Sequence, residues 1–128
     1  MIQPNEKLLP GNVVMYHGHK DVPQILDALK IYNISYSDSY YPLVYSPIPL
    51  TPEILVKWCG FDEFCNQYCK KIGEIDLTID LNKKIIFIGD KTGDMINAKF
   101  PEHLHQLQNL VYFLTGEELV VTIPSSTK

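Results

Sequence analysis

Two cysteines and two histidines are the residues of this chain best suited to hold a metal ion. Cys65 and Cys69 lie four residues apart in a stretch predicted to be helical, and His103 and His105 follow later. Zinc prefers thiolate and imidazole ligands, but structural zinc sites usually contain cysteines separated by two residues. Cysteines with the spacing seen here are more often small buried apolar residues. We therefore predict no metal site and no cofactor, and keep a zinc-dependent hydrolase as an alternative.

Nucleophilic and acid–base chemistry are less well supported by the sequence. Cys59, like the other two cysteines, could pair with a histidine, but no neighbouring residue marks it as activated. The chain contains no Gly-x-Ser-x-Gly elbow and no phosphate-binding glycine loop. Asp76 and Asp80 share one face of a predicted strand, where a solvated surface explains them equally well. His17 and His19 flank a glycine in a predicted turn. These patterns favour a protein that is not an enzyme.

The charge balance excludes one large class of partner. The net charge is −4, and all 11 basic residues are lysines, so the chain lacks arginine. Nucleic-acid binding normally requires a clustered basic face, and arginine is the usual reader of base edges.

No apolar stretch is long enough to span a membrane, and the first residues do not form a secretion signal. We expect a cytoplasmic protein with reduced thiols that binds neither nucleic acid nor membrane.

The elements that would position these residues indicate a single α+β domain over residues 1–128. Alternating apolar residues predict a hairpin with strands at 75–80 and 84–88. Thr51 and Pro52 predict the start of a helix that ends at Gly60. Pro101 and Glu102 open a final amphipathic helix, which extends to residue 114. The predicted architecture is an antiparallel sheet or partial barrel, with this C-terminal helix packed on it.

Three further elements are predicted from local signals. Asp21 and Gln24 resemble a capping box, so a short helix is expected from residue 21 to residue 29. A second helical piece is expected at 62–71, and a closing strand at 119–123. Residues 89–94 are expected to form an exposed loop.

A tyrosine-rich segment is the first candidate binding surface. Tyrosine and serine together are typical of adaptable recognition surfaces, since the ring offers apolar area and the hydroxyl a polar contact. Ordinary strand tyrosines with half-buried rings are the competing interpretation. The candidate binding residues here are Tyr32, Tyr36, Tyr40, Tyr41 and Tyr45.

The polar side of the last helix is the second candidate binding surface. No charged residue occurs from His103 to Gly116, although exposed helices usually carry lysine and glutamate. Neutral hydrogen-bonding groups suit a position from which water is excluded. They would form either an internal network, against the hairpin or residues 47–51, or an interface that includes a second copy of the chain. The candidate residues are His105, Gln106, Gln108, Asn109 and Tyr112.

Three segments of the chain resemble a family of short proteins from gut anaerobes and their phages and prophages. Residues 47–53 with Gly60 and Phe61 resemble a PIPLTPE…GF motif, and residues 105–119 resemble an HQLQNLYFALTGEEL motif. Residues 8–12 are similar to its LRIGN opening, with Leu9 and Pro10 in place of Arg-Ile. The resemblance implies a phage or prophage context, carries no mechanism, and favours strands of a small barrel at 21–34 over our helix.

These observations together predict a non-catalytic binding protein that acts through protein–protein contacts. In the context that the resemblance implies, it would act in counter-defence or host takeover, with another protein or a second copy as its partner. The alternatives are the zinc-dependent hydrolase and a nucleotide-binding sponge. A cavity lined by lysine and tyrosine would favour the sponge.

Overall fold

The computed structural model describes residues 8–17, 21–31, 45–90 and 95–123. Its strands and helices are numbered in the order in which they occur along the chain. The strands are β1 (Val13–His17), β2 (Asp21–Ile25), β3 (Tyr45–Ser46), β4 (Asp62–Phe64), β5 (Gln67–Ile72), β6 (Ile75–Asp80), β7 (Ile85–Gly89) and β8 (Met95–Ala98). The helices are α1 (Ile54–Trp58), a π-helical segment, and α2 (Leu104–Thr115); residues 28–31 form one further helical turn.

A five-stranded antiparallel sheet holds most of the core. Its strand order is β4-β5-β6-β7-β8. Leu77 and Ile79 of β6 and Ile86 of β7 are buried, while Asp76 is exposed. This alternation, read from the sequence, predicts the β6–β7 hairpin, and the prediction is confirmed.

A three-stranded antiparallel sheet, ordered β2-β1-β3, accounts for the N-terminal part. The helix predicted from residue 21 is wrong over residues 21–25, because Asp21–Ile25 pairs with β1 along its whole length. Pro23 is tolerated in this strand because β2 is an edge strand. Local capping signals at Asp21 and Gln24 are thus overridden by pairing with β1. Of the stretch 21–34, where the family resemblance favours strands, the described part holds one strand, Asp21–Ile25, followed by the helical turn at 28–31.

The helix predicted over 62–71 is also wrong, since β4 and β5 form a hairpin there. Two turn residues, Cys65 and Asn66, join the strands with φ of 52° and 66°. Two consecutive positive φ angles are those of a type I′ turn, which matches the twist of a hairpin. The turn contains no glycine, which is why the sequence did not indicate it.

The helix predicted after Thr51 is confirmed, although its hydrogen bonding is π-helical over α1. Thr51 Oγ1 accepts a hydrogen bond of 3.2 Å from the Ile54 N–H, as expected of a helix cap. The Cys59 N–H bonds to the Ile54 carbonyl, five residues back, at 3.0 Å. Gly60 then ends the helix with φ of 77°, a conformation that favours glycine.

The C-terminal helix α2 is confirmed, beginning at Leu104 rather than at Pro101. Leu104, Leu107 and Val111 are fully buried in the same core cluster as the central strands of the large sheet. The strand predicted at 119–123 is absent, although the Thr122 N–H donates to the Trp58 carbonyl at 2.8 Å.

Two antiparallel sheets and a C-terminal helix thus make a small α+β fold, as predicted. Val13 of β1 faces the main core cluster, and its neighbour Val14 faces a smaller cluster with Leu26 and Tyr45. Among the helices of the described residues, none is both long and apolar enough to cross a membrane.

Candidate functional site

The neutral polar side of α2 serves two different purposes along its length. Its first part faces the segment that leads into β1. Gln108 Oε1 accepts a hydrogen bond of 2.8 Å from the Val13 N–H, and Gln108 Nε2 donates to the Gly11 carbonyl at 3.0 Å. Both groups of the amide are therefore used within the protein.

Asn109 continues this internal network. Its Oδ1 accepts a hydrogen bond of 2.8 Å from Asn12 Nδ2, and Asn12 is only 2% exposed. Asn12 Oδ1 also accepts from the Leu9 N–H at 2.8 Å, and the Asn12 carbonyl accepts from the Leu26 N–H at 2.7 Å. Gln108 and Asn109 thus hold the residues before β1 against α2 through side-chain hydrogen bonds, so they stabilise the fold.

Gln106 and His105 also have internal positions. Gln106 Oε1 accepts hydrogen bonds from the Glu102 and His103 N–H groups, at 2.9 and 3.1 Å, so this side chain anchors the start of its own helix. His105 is fully buried, and its ring stacks nearly parallel to that of His103 at 6.2 Å between centroids. Of the predicted α2 residues, only Tyr112 is exposed.

Tyr112 and its neighbour Phe113 form an exposed aromatic pair on α2. Their side chains are 46% and 65% exposed. A cleft of about 250 Å³ lies on the Tyr112 side, where Leu9, Pro10 and Leu119 supply apolar walls. The two rings project about 100° apart around the helix axis, so α2 exposes apolar area on two neighbouring sides.

Glu118 gives this first cleft a negative charge. It is exposed and lies close to Gly11, since a Cβ built at Gly11 would be 3.6 Å from Glu118 Oε1. Within the described part of the chain, no lysine lines this cleft. The arrangement therefore offers a carboxylate and an aromatic ring to a cationic group.

A second, more open cleft of about 550 Å³ lies on the Phe113 side of α2. Lys99 and Glu102 line it together with Phe100 and Leu110. We name the surface formed by Tyr112, Phe113 and Glu118 with its adjoining clefts the α2 surface.

One of the five predicted tyrosines, Tyr45, lies among the described residues. Tyr45 is 4% exposed and packs against Tyr16, with ring centroids 5.3 Å apart, so the structure places it in the core. The other four predicted tyrosines (Tyr32, Tyr36, Tyr40 and Tyr41) lie outside the described residues.

The two cysteines considered as metal ligands lie in the β4–β5 hairpin. Cys65 is exposed in the β4–β5 turn, and Cys69 lies in β5. In the ranges that the structure describes, no three histidine, cysteine or acidic side chains are grouped to hold a metal ion. Cys59 is buried, and burial raises the pKa of its thiol to about 12 against a weaker opposing effect of Lys70. Such a thiol is a poor nucleophile.

Sequence reasoning missed a chain of hydrogen bonds across the small sheet. His17 Nδ1 lies 2.9 Å from Asp21 Oδ1, and His17 Nε2 lies 2.6 Å from Ser46 Oγ. We name these three residues the His17 relay. Local patterns predict a turn at His17 and a helix start at Asp21, whereas the two residues are paired across β1 and β2.

Comparison of this chain with models of protein families, with curated proteins and with solved structures finds no match.

Proposed function

We propose that this domain is a binding protein that uses the α2 surface to bind a protein segment with a basic side chain next to an apolar one. The observation that carries the proposal is the exposed pair of aromatic side chains, Tyr112 and Phe113, on a helix without charged residues. In the phage or prophage context implied by the resemblance, such binding would serve counter-defence or host takeover.

The apolar part of the proposed contact rests on the two rings. Aromatic side chains bury large areas and dominate interface energetics. Covering both rings would contribute roughly 2 to 3 kcal/mol each before the costs of association. Because a helix fixes the backbone of both residues, little order is lost there on binding.

The basic character of the partner follows from Glu118. Its carboxylate adjoins the Tyr112 cleft, which no lysine lines within the described part of the chain. An arginine or lysine stacked on Tyr112 could reach this carboxylate, combining a cation–π contact with an ion pair. The net charge of −4 would also speed the approach of a basic partner.

The small-ligand alternative has weaker support. The Tyr112 cleft, at about 250 Å³, is below the usual range for binding a whole small molecule. Counting only residues that the structure describes, the larger cleft has Lys99 but no tyrosine, and the Tyr112 cleft has no lysine, so neither combines the two residue types expected of a nucleotide-binding sponge. A zinc-dependent hydrolase finds no grouped ligands among the residues described.

The test is selection from a random peptide library displayed on beads, followed by affinity measurement on the selected peptides. We expect sequences enriched in arginine or lysine next to an apolar residue. The double variant Tyr112→Ala/Phe113→Ala should weaken binding at least tenfold, and Glu118→Gln should weaken it several-fold at low salt.

Phe64→Ala is the matched control, because Phe64 is 72% exposed on β4 and lies outside the α2 surface. It should leave the affinity unchanged. Equal losses for Phe64→Ala and for the α2 variants would refute the proposed surface, and acidic selected peptides would refute the proposed partner. Sedimentation showing a dimer that Tyr112→Ala/Phe113→Ala dissociates would replace the foreign partner by a second copy.

A further inference from the structure

The His17 relay is held on one face of the small sheet by strand register. His17 lies directly opposite Asp21 in the β1–β2 pair, and Met15, two residues before His17, lies opposite Ser46 in the β1–β3 pair. Residues opposite each other, and residues two apart, project from the same face. The backbone ladder thus brings a carboxylate, an imidazole and a hydroxyl together in that order.

The two distances match those of an activated serine. With its proton on Nδ1, His17 donates to Asp21 at 2.9 Å, and Nε2 then accepts from the Ser46 hydroxyl at 2.6 Å. In this arrangement the carboxylate fixes the tautomer that leaves Nε2 free to take the serine proton. The same order of groups occurs in acyl-transfer enzymes of unrelated folds, so it is recognised by geometry and not by sequence position.

Exposure limits the chemistry that these residues could perform. The side chains of His17 and Asp21 are 40% and 68% exposed, so water screens the stabilisation of a protonated His17. Weak stabilisation suits substrates whose leaving group departs readily, such as activated esters, and not peptide bonds. Met15 lies between Ser46 and Pro23 in the sheet, which provides an apolar neighbour for an acyl chain.

We infer that Ser46 is an acyl-accepting nucleophile for activated esters, with His17 as its general base and Asp21 as the residue that positions His17. Ser46 Oγ forms a bond to the acyl carbon as its proton moves to His17 Nε2. The tetrahedral adduct then expels the alcohol, which takes that proton, and leaves an ester on Ser46. Water then attacks this ester as one of its protons moves to His17 Nε2. The second tetrahedral adduct releases the carboxylic acid, and the proton returns to Ser46 Oγ to restore the free hydroxyl. This activity is separate from binding at the α2 surface, with which it shares no residue.

The experiment is incubation with p-nitrophenyl acetate, monitored by nitrophenolate release and by mass spectrometry of the acetylated protein. We expect one acetyl group, mapped to Ser46, and its loss in Ser46→Ala. His17→Gln should slow acylation at least a hundredfold, the usual range for removal of a general base. His103→Gln is the control, because His103 lies outside the relay, and it should leave the rate unchanged.

Two further variants separate catalysis from a purely structural role. Asp21→Asn should lower the acylation rate at saturating ester while the half-saturating concentration stays the same. Ser46→Cys, unlike Ser46→Ala, keeps a nucleophile at position 46 and should again be acetylated there.

Acetylation confined to lysines, or equal labelling of wild type and Ser46→Ala, would overturn the proposal. So would loss of thermal stability in Ser46→Ala with no acylation of wild type, because the relay would then only join strands. Labelling should persist in Tyr112→Ala/Phe113→Ala, so failure of one proposal is distinguishable from failure of the other.

Discussion

Asn12 and Asn109 are joined by a side-chain hydrogen bond of 2.8 Å, although 97 residues separate them in the sequence. Both are almost completely buried. The bond connects the residue before β1 to α2, and the two hydrogen bonds of Gln108 to Gly11 and Val13 join the same parts of the fold.

The first prediction concerns this bond. Asn12→Ala should lower the free energy of unfolding by about 2 to 4 kcal/mol, because it leaves the Leu9 N–H and Asn109 Oδ1 without their partner. Urea denaturation followed by circular dichroism measures the change. Asn82→Ala, at an exposed turn residue, should alter stability by less than about 0.5 kcal/mol. Equal effects of the two variants would show that the buried bond contributes nothing.

The second prediction concerns the start of α2. Gln106→Ala should destabilise the protein by roughly 1 kcal/mol, since two backbone N–H groups lose their acceptor. Gln106→Glu keeps an acceptor oxygen and adds negative charge near the positive end of the helix dipole. It should therefore be at least as stable as wild type to within about 0.5 kcal/mol. Thermal melts of both variants test this, and a similar loss in both would contradict the anchoring role.

The third prediction concerns Cys59. Its pKa is raised to about 12 from an ordinary value of 9, because burial disfavours the thiolate. Below pH 9 the folded and unfolded forms both hold the proton. Between pH 9 and 12 only the unfolded form loses it, so stability should fall by up to about 1.4 kcal/mol per pH unit. Urea denaturation of wild type and Cys59→Ala at pH 8 and pH 10.5 isolates this effect, and a constant difference between them would contradict it.

Thiol reactivity gives an independent check on the same residue. At pH 8, Ellman's reagent should modify exposed Cys65 quickly and Cys59 only on unfolding. The variant Cys65→Ser should lose the fast phase.

The fourth prediction concerns the β4–β5 turn. Cys65 has φ of 52°, which costs free energy for a residue other than glycine, asparagine or aspartate. Cys65→Asn should raise the free energy of unfolding by roughly 0.5 to 1 kcal/mol, and with it the melting temperature. Asn66→Ala, at φ of 66°, should lower the free energy of unfolding by roughly 1 kcal/mol, and the melting temperature with it. If both changes moved the melting temperature in the same direction, the type I′ geometry would be wrong.

The sequence predicts those elements whose signal is contained within the element itself. Strand β6 alternates buried Leu77 and Ile79 with polar residues, and α2 has a regular apolar stripe, so both could be recognised. Strand β2 could not, because Asp21 and Gln24 imitate a helix start and the partner strand is not visible in a local pattern. The β4–β5 turn was missed because Cys65 is an unusual residue for positive φ.

The candidate sites show the same limit. The absence of charge on α2 is a local signal, and it indicated an unusual helix face. Gln108 and Asn109 form hydrogen bonds within the protein because Gly11 and Asn12 lie next to them in the fold. These partners are remote in sequence, so a local pattern does not reveal them. The His17 relay draws on three strands, and no spacing rule connects Ser46 to His17 before the register of the small sheet is known.

The hydrogen bonds that join Gln108 and Asn109 of α2 to the start of β1 also affect the order in which the chain folds. Closing a loop of about a hundred residues is slow and entropically costly, so contacts of this kind form late. The large sheet and α2 can form from residues after 50, whereas β1 gains its polar anchors only when Gln108 and Asn109 are available. During synthesis, β1 must therefore wait until residues 108 and 109 have left the ribosome before it docks.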